Sequence, residues 1–266
     1  MNRITKKFKE LKARKEKALI VYITAGDPSF KKNEQLIRAF EKDGVDLIEL
    51  GVPFSDPLAD GQVIQEASQR SLKKKTNLVK ILTLVSRIRK NSQLPILLMS
   101  YLNPILQYGI ERFAGSAKKA GVDGVIIPDL PPDEGRNISL TMKSHGVDLV
   151  YLLAPTSTMA RVKRVAGASH GFIYYVSITG VTGVNRSAPF KVQANIRTIK
   201  QNTKLPVCVG FGVSTPERAK KVSQYSDGVI IGSVVVKAIA SHPSLDAQEL
   251  SKRFIRPFVV AMGKNK

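Results

Sequence analysis

A chain of 266 residues is long enough for two average domains or for one (β/α)8 barrel. With 43% hydrophobic residues and 19 glycines it can bury a sizeable core, and its single cysteine, Cys208, excludes a disulfide framework or a cysteine-cluster metal site. The formal net charge of +21 and pI near 10.1 invite a nucleic-acid reading, but the lysines and arginines are spread over most helical segments instead of gathering with aromatics into one stripe, so nucleic acid is disfavoured as a partner.

In chain order, MNRITKKFKELKARKEK predicts a basic amphipathic helix over 1–17, with Ile4, Phe8 and Leu11 on one face. No apolar signal-peptide core follows it and no apolar run reaches membrane-spanning length, so a soluble cytoplasmic protein without membrane contact is expected. Eight short runs rich in β-branched residues then recur: ALIVYIT (18–24), VDLIEL (45–50), PILLMSY (95–101), GVIIPD (124–129), VDLVYLLA (147–154), GFIYYVS (171–177), LPVCVGFG (205–212) and DGVIIGS (227–233). Continuous apolar runs are what strands buried on both faces look like, as in a parallel sheet. In that setting Cys208 reads as a small buried hydrophobe.

Helical spacing fills the intervals, over 33–41, at Leu78, Ile81, Leu82, Val85 and Ile88, over 196–200, and from Leu250 to Phe258. Strand and helix alternate without a linker or a shift in composition. The prediction is therefore one α/β domain spanning 1–266, a single (β/α)8 TIM barrel with an extra N-terminal helix. A doubly wound open sheet is the alternative, disfavoured by the lack of an early GxGxxG.

A barrel of this kind carries its active site at the C-terminal ends of the strands. There the stretch 45–65 stands out. Glu49 lies among Leu47, Ile48 and Leu50, and a carboxylate in such a run costs several kcal/mol unless it is paired or neutralised. Pro53 and Pro57 then turn a loop over 52–62 that carries Asp56 and Asp60. Two carboxylates in unlike surroundings are the layout of a general acid–base pair, although Asp60 also fits a helix N-cap.

Further polar groups fall at the other strand ends: Thr24, Asp27, Tyr101, Asn103, Asp129 and Ser177. Gly183, Gly212 and Gly232 with Ser233 each come just before a helical segment, so backbone N–H groups and helix N-termini can converge there on a phosphate. The loop over 178–190, rich in Gly, Thr, Ser and Asn, reads as a lid or as a surface loop.

YITAGDP (22–28), ELGVPFSDPLADG (49–61), GVIIPDLP (124–131), YYVSITGVTG (174–183), GFGVS (210–214) and DGVIIGS (227–233) together closely resemble the tryptophan synthase alpha chain family over nearly the whole chain. The resemblance implies a carbon–carbon lyase that cleaves indole-3-glycerol phosphate to indole and glyceraldehyde 3-phosphate by a retro-aldol step. It implies no metal or cofactor in this chain, with pyridoxal phosphate expected only in a beta chain that joins it in an alpha2-beta2 heterotetramer. By the same resemblance Glu49 relays protons and Asp60 stays ionised to accept the indole N–H. Tyr22, Leu98, Tyr101, Asp129, Tyr174, Thr182 and Phe211 are implied as substrate contacts, and Gly183, Gly212, Gly232 and Ser233 as the phosphate site. Two features depart from the family pattern: Gln62 stands where a proline is usual, and the charge of +21 is high. The rival readings are a catalytically weak subunit that activates a beta chain, and another phosphate-binding barrel lyase.

Overall fold

The computed structural model describes residues 2–177, 188–210 and 212–264. Its strands are β1 (Ala18–Thr24), β2 (Leu47–Gly51), β3 (Ile96–Met99), β4 (Gly124–Ile126), β5 (Asp148–Val150), β6 (Leu152–Leu153), β7 (Ile173–Val176), β8 (Val207–Gly210) and β9 (Gly228–Ile231). The first helices are α1 (Arg3–Ala13), α2 (Phe30–Lys42), α3 (Gln62–Leu72), α4 (Leu78–Arg89), α5 (Leu102–Tyr108), α6 (Ile110–Ala120) and α7 (Arg136–Ser144). Then come α8 (Met159–Ala168), α9 (Ala188–Gln201), α10 (Pro216–Ser223), α11 (Ser233–Ser241), α12 (Ala247–Phe254) and α13 (Arg256–Ala261).

All strand pairs are parallel, in the order β5-β4-β3-β2-β1-β9-β8-β7-β6. The two outermost strands are consecutive in the chain and separated only by Tyr151, whose carbonyl accepts the Tyr174 N–H at 3.2 Å. The run VDLVYLLA is thus one barrel strand divided in two: its first half pairs with β4 and its second with β7. The result is the expected TIM barrel with its fifth strand interrupted.

The pleat, with its period of two, sorts the strand residues into two layers. Ile20, Tyr22, Leu47, Leu97, Met99, Tyr174 and Cys208 belong to the cluster inside the barrel, while Leu19, Val21, Ile48, Leu50 and Leu98 pack outward against the helices. Helix α1 closes one end, placing Ile4, Phe8 and Leu11 in the inner cluster, with Phe8 5.8 Å from Phe172. Several predicted boundaries shift, and three have a local cause. The helix expected over 1–17 ends at Ala13, and Lys15 takes a left-handed conformation (φ 57°). The segment 33–41 lengthens to Phe30–Lys42 because the Ser29 hydroxyl accepts the Lys32 N–H at 3.1 Å. The stripe from Leu250 to Phe258 is two helices, since the chain resets at Ile255 and Pro257 has no N–H to continue the first.

Much of the positive charge has a structural place. Among the described residues nine helices, α1, α2, α3, α4, α6, α7, α9, α10 and α12, carry Lys or Arg in the last turn, whereas only α6, α10 and α12 carry an acid in the first. Cations there complement the negative ends of the helix dipoles. In a β/α barrel those ends lie opposite the strand C-termini, so the other end keeps helix N-termini that favour anions.

An aspartate stands at or just before the start of β2, β4, β5 and β9, and three of the four are clamped. Asp46 accepts the Leu19 N–H at 2.8 Å and pairs with Lys264. Asp123 accepts the Ile96 N–H at 2.9 Å and meets Arg89 at 2.6 Å and Arg3 at 3.0 Å. Asp227 accepts the Val207 N–H at 3.0 Å and meets Lys200 at 2.7 Å.

Asp148 is the exception: its Oδ2 has no hydrogen-bond partner among the described residues, and burial, with Asp123 nearby, raises its pKa to about 6. A carboxyl whose folded pKa lies above its unfolded value costs nothing below about pH 4 and its full penalty above about pH 6. Asp148→Asn should therefore raise stability by about 1 to 2 kcal/mol at pH 8, allowing for partial solvent screening, and by almost nothing at pH 4. Urea denaturation at the two pH values checks this.

Candidate active site

Glu49 is the middle residue of β2. The pleat turns it inward with Leu47 and Gly51, and parallel pairing sets it level with Tyr22 on β1 and Leu97 on β3. Its side chain is 1% exposed and its Oε2 has no hydrogen-bond partner among the described residues. Burial, aided by the negative charge of Asp60, raises its pKa to about 8. The carboxyl therefore holds its proton at neutral pH, poised to donate it.

The chain leaves β2 through a tight loop. The Leu58 N–H bonds to the Asp56 carbonyl at 3.1 Å and the Asp60 N–H to the Pro57 carbonyl at 3.0 Å. Tyr101 braces this loop: its ring lies 5.4 Å from Phe54 and its hydroxyl accepts the Ala59 N–H at 2.8 Å. The N-cap of α3 is Gly61, without a side-chain hydrogen bond, so Asp60 is not spent on capping. Burial raises the Asp60 pKa to about 6, with a hydrogen bond from Tyr101 opposing the shift. One acid is thus mainly protonated and the other mainly ionised near pH 7.

Both line one cavity of about 190 Å³, with Tyr22, Met99, Tyr174, Gly212, Ser214, Gly232 and Ser233 among the remaining walls. Tyr22 and Tyr174 lie across the barrel mouth only because their neighbours are glycines: a Cβ at Gly51 would collide with the Tyr22 hydroxyl, and one at Gly210 with that of Tyr174. After β9, which pairs with β1, Gly232 begins α11 beside Tyr22, and the Ser233 and Val234 N–H groups lie in the first turn and have no intrahelical acceptor. Gly212, with φ 74°, stands beside them in the lining. The cavity is thus lined by helix N–H groups, which favour an anion, together with two acids.

Some expected contacts lie elsewhere. Leu98 points outward into the helix layer, and Met99, one residue on, takes the wall position. Asp129 is exposed and accepts the Leu102 N–H at 3.0 and 3.2 Å, which caps α5, whose own N-cap Tyr101 offers no side-chain bond. Tyr101 supports the acidic loop and is not part of the wall, and Asp56 is exposed. Thr182, Gly183 and Phe211 lie outside the described residues, as does 178–187 of the lid loop. Ser214, Ile230 and Ile64 join the lining without having been singled out by sequence. For Ile230 the signal was available, because it follows the inward parity of its strand.

Comparison with known proteins bears on the whole chain. A family model described as "Tryptophan synthase alpha chain" matches residues 8–260. The tryptophan synthase alpha chain of Geobacter sulfurreducens is 49% identical over 237 residues, covering 89% of this chain and 90% of that one. Its counterpart in Geobacter sp. (strain M21) is 47% identical over 255 residues, 96% of each. Among solved structures, tryptophan synthase subunit alpha from Legionella pneumophila str. Paris superposes with a TM-score of 0.92 at 38% identity, covering 100% of both chains. A tryptophan synthase complex from Pyrococcus furiosus contains a chain that matches with a TM-score of 0.83 at 34% identity, over 92% of this chain and 99% of that one.

Proposed function

The chain belongs to the tryptophan synthase alpha chain family, and from that premise we propose that Glu49 and Asp60 carry the family reaction between them. That reaction is the retro-aldol cleavage of indole-3-glycerol phosphate to indole and glyceraldehyde 3-phosphate, the alpha-subunit lyase step of tryptophan biosynthesis. The observation that carries the assignment is the pairing, in one cavity, of a buried protonated Glu49 with an ionised Asp60, in a lining that also holds the bare N-terminus of α11.

Indole is a poor leaving group as a carbanion, so ring carbon C3 must be protonated before the bond to the glycerol chain breaks. Glu49, held neutral, gives C3 its proton. The positive charge that develops on the ring nitrogen is met by the Asp60 carboxylate, which accepts the indole N–H. The Glu49 carboxylate then takes the proton of the hydroxyl beside the breaking bond. The C–C bond opens as the aldehyde forms, and Glu49 is protonated again for the next turnover. Tyr22, Met99 and Tyr174 border the ring, while Gly212, Gly232 and Ser233 hold the phosphate, with Gly183 as a fourth contributor.

Bond making and breaking need only these proton transfers, so the reading requires no cofactor in this chain. Pyridoxal phosphate belongs with the beta chain, the partner that receives indole in an alpha2-beta2 assembly. A cytoplasmic location suits a biosynthetic enzyme, and no helix among the described residues is long and apolar enough to cross a membrane. Incubating purified protein with indole-3-glycerol phosphate, with and without a beta subunit, tests the reading. Indole release in both cases, faster with the beta subunit, is expected. Stimulation of a beta chain without any cleavage would favour the activator reading instead.

A further inference from the structure

Asp60 sits on a loop, yet the chemistry asks it to meet a ring nitrogen within hydrogen-bond reach. What fixes it is visible in its backbone. Its N–H is tied within the loop, to the Pro57 carbonyl, but its carbonyl accepts from the Gln65 side-chain amide at 2.8 Å. Gln65 belongs to α3, and α3 is firmly held. Arg70 grips the nearly buried carboxylate of Asp27 through two hydrogen bonds of 3.0 and 2.8 Å, and the Ser71 hydroxyl bonds to the Ala25 carbonyl at 2.5 Å. On its inner side Ile64 and Ala67 enter the cluster inside the barrel. The Gln65 amide is therefore a strut from an anchored helix to the backbone of the acid.

We propose that Gln65 is a positioning residue for Asp60, setting the carboxylate for the indole nitrogen through the Asp60 carbonyl. The proposal rests on the role given to Asp60. The neighbouring Gln62 side chain bonds along the helix to Glu66 at 2.9 Å, so of the two glutamines it is Gln65 whose side chain holds the loop.

Gln65→Met keeps the length of the side chain and removes the donor, and Gln65→Ala removes both. Each is expected to lower kcat about 10-fold or more with KM changed much less, because small misplacement of a reacting group is costly. The acid limb of the pH–rate profile should also fall from near 6 toward ordinary carboxylate values, since a freed loop exposes Asp60 to water. In an Asp60→Asn background the same Gln65→Met change should cost almost nothing further. A wild-type kcat and acid limb in Gln65→Met, even with a lowered urea midpoint, would overturn the proposal and leave Gln65 a purely structural residue. Equal losses in both backgrounds would also overturn it while leaving the Asp60 assignment intact. If Asp60→Asn itself has no effect, both fall together.

Discussion

Glu49→Gln is expected to reduce cleavage of indole-3-glycerol phosphate by at least about 10³-fold while leaving substrate affinity within a few-fold of the unaltered protein. A positioned acid or base is worth about 10² to 10⁴ in rate, and Glu49 is asked to serve as both within one turnover, which places the loss at the upper end of that range. The amide keeps the shape of the carboxyl and, like it, has no charge to lose at neutral pH, because burial already holds Glu49 protonated. Binding energy from the phosphate and ring walls is therefore untouched, and the loss should appear in kcat and not in KM. Steady-state indole release reads kcat, and a single-turnover binding measurement reads affinity. The folded state should not suffer either, since one oxygen of the native carboxyl already lacks a partner among the described residues. Turnover within two- or three-fold of the unaltered protein would remove Glu49 from the chemistry.

Glu49 was legible in the sequence for the reason that makes it reactive. An acid among Leu47, Ile48 and Leu50 cannot be solvated, and that single polar position also fixes which residues of β2 face inward. The strand PILLMSY has no such marker. Every residue of Ile96–Met99 is buried, on one face or the other, so composition does not separate Leu98 from Met99; only the register against β2 does. Asp129 had the right place at a strand end, but the α5 N-terminus lacks a side-chain cap of its own and draws the carboxylate there. The strut from Gln65 was invisible for a further reason. A glutamine on a helix looks solvated until the fold brings a loop carbonyl within 2.8 Å of it. The four aspartates that precede strands were written in the sequence as VDL, VDG and SDG, and their meaning came only with the cations that clamp three of them.

Asp60→Asn should cost about 3 to 4 kcal/mol of transition-state stabilisation, a loss of about 10² to 10³ in kcat, because it replaces the full charge opposite the developing ring cation with a neutral dipole. The pH dependence separates this from any structural role. With both acids intact, activity requires Glu49 protonated and Asp60 ionised, so the rate should peak between about pH 6 and pH 8. It falls below that window as Asp60 gains its proton and above it as Glu49 loses one, the two limbs belonging to the interacting pair. In Asp60→Asn the acid limb should vanish, since nothing titrates there. The basic limb should move to lower pH, because the Asp60 charge is the second cause, after burial, of the raised Glu49 pKa. A capping role predicts the reverse pattern, with a lower urea midpoint and unmoved limbs, but Gly61 already occupies the N-cap of α3 and leaves Asp60 free of that duty. A cost well below 1 kcal/mol together with an unchanged basic limb would mean that the two carboxyls do not share a field, and a pair that shares no field cannot divide the proton and the charge between them as this reaction demands.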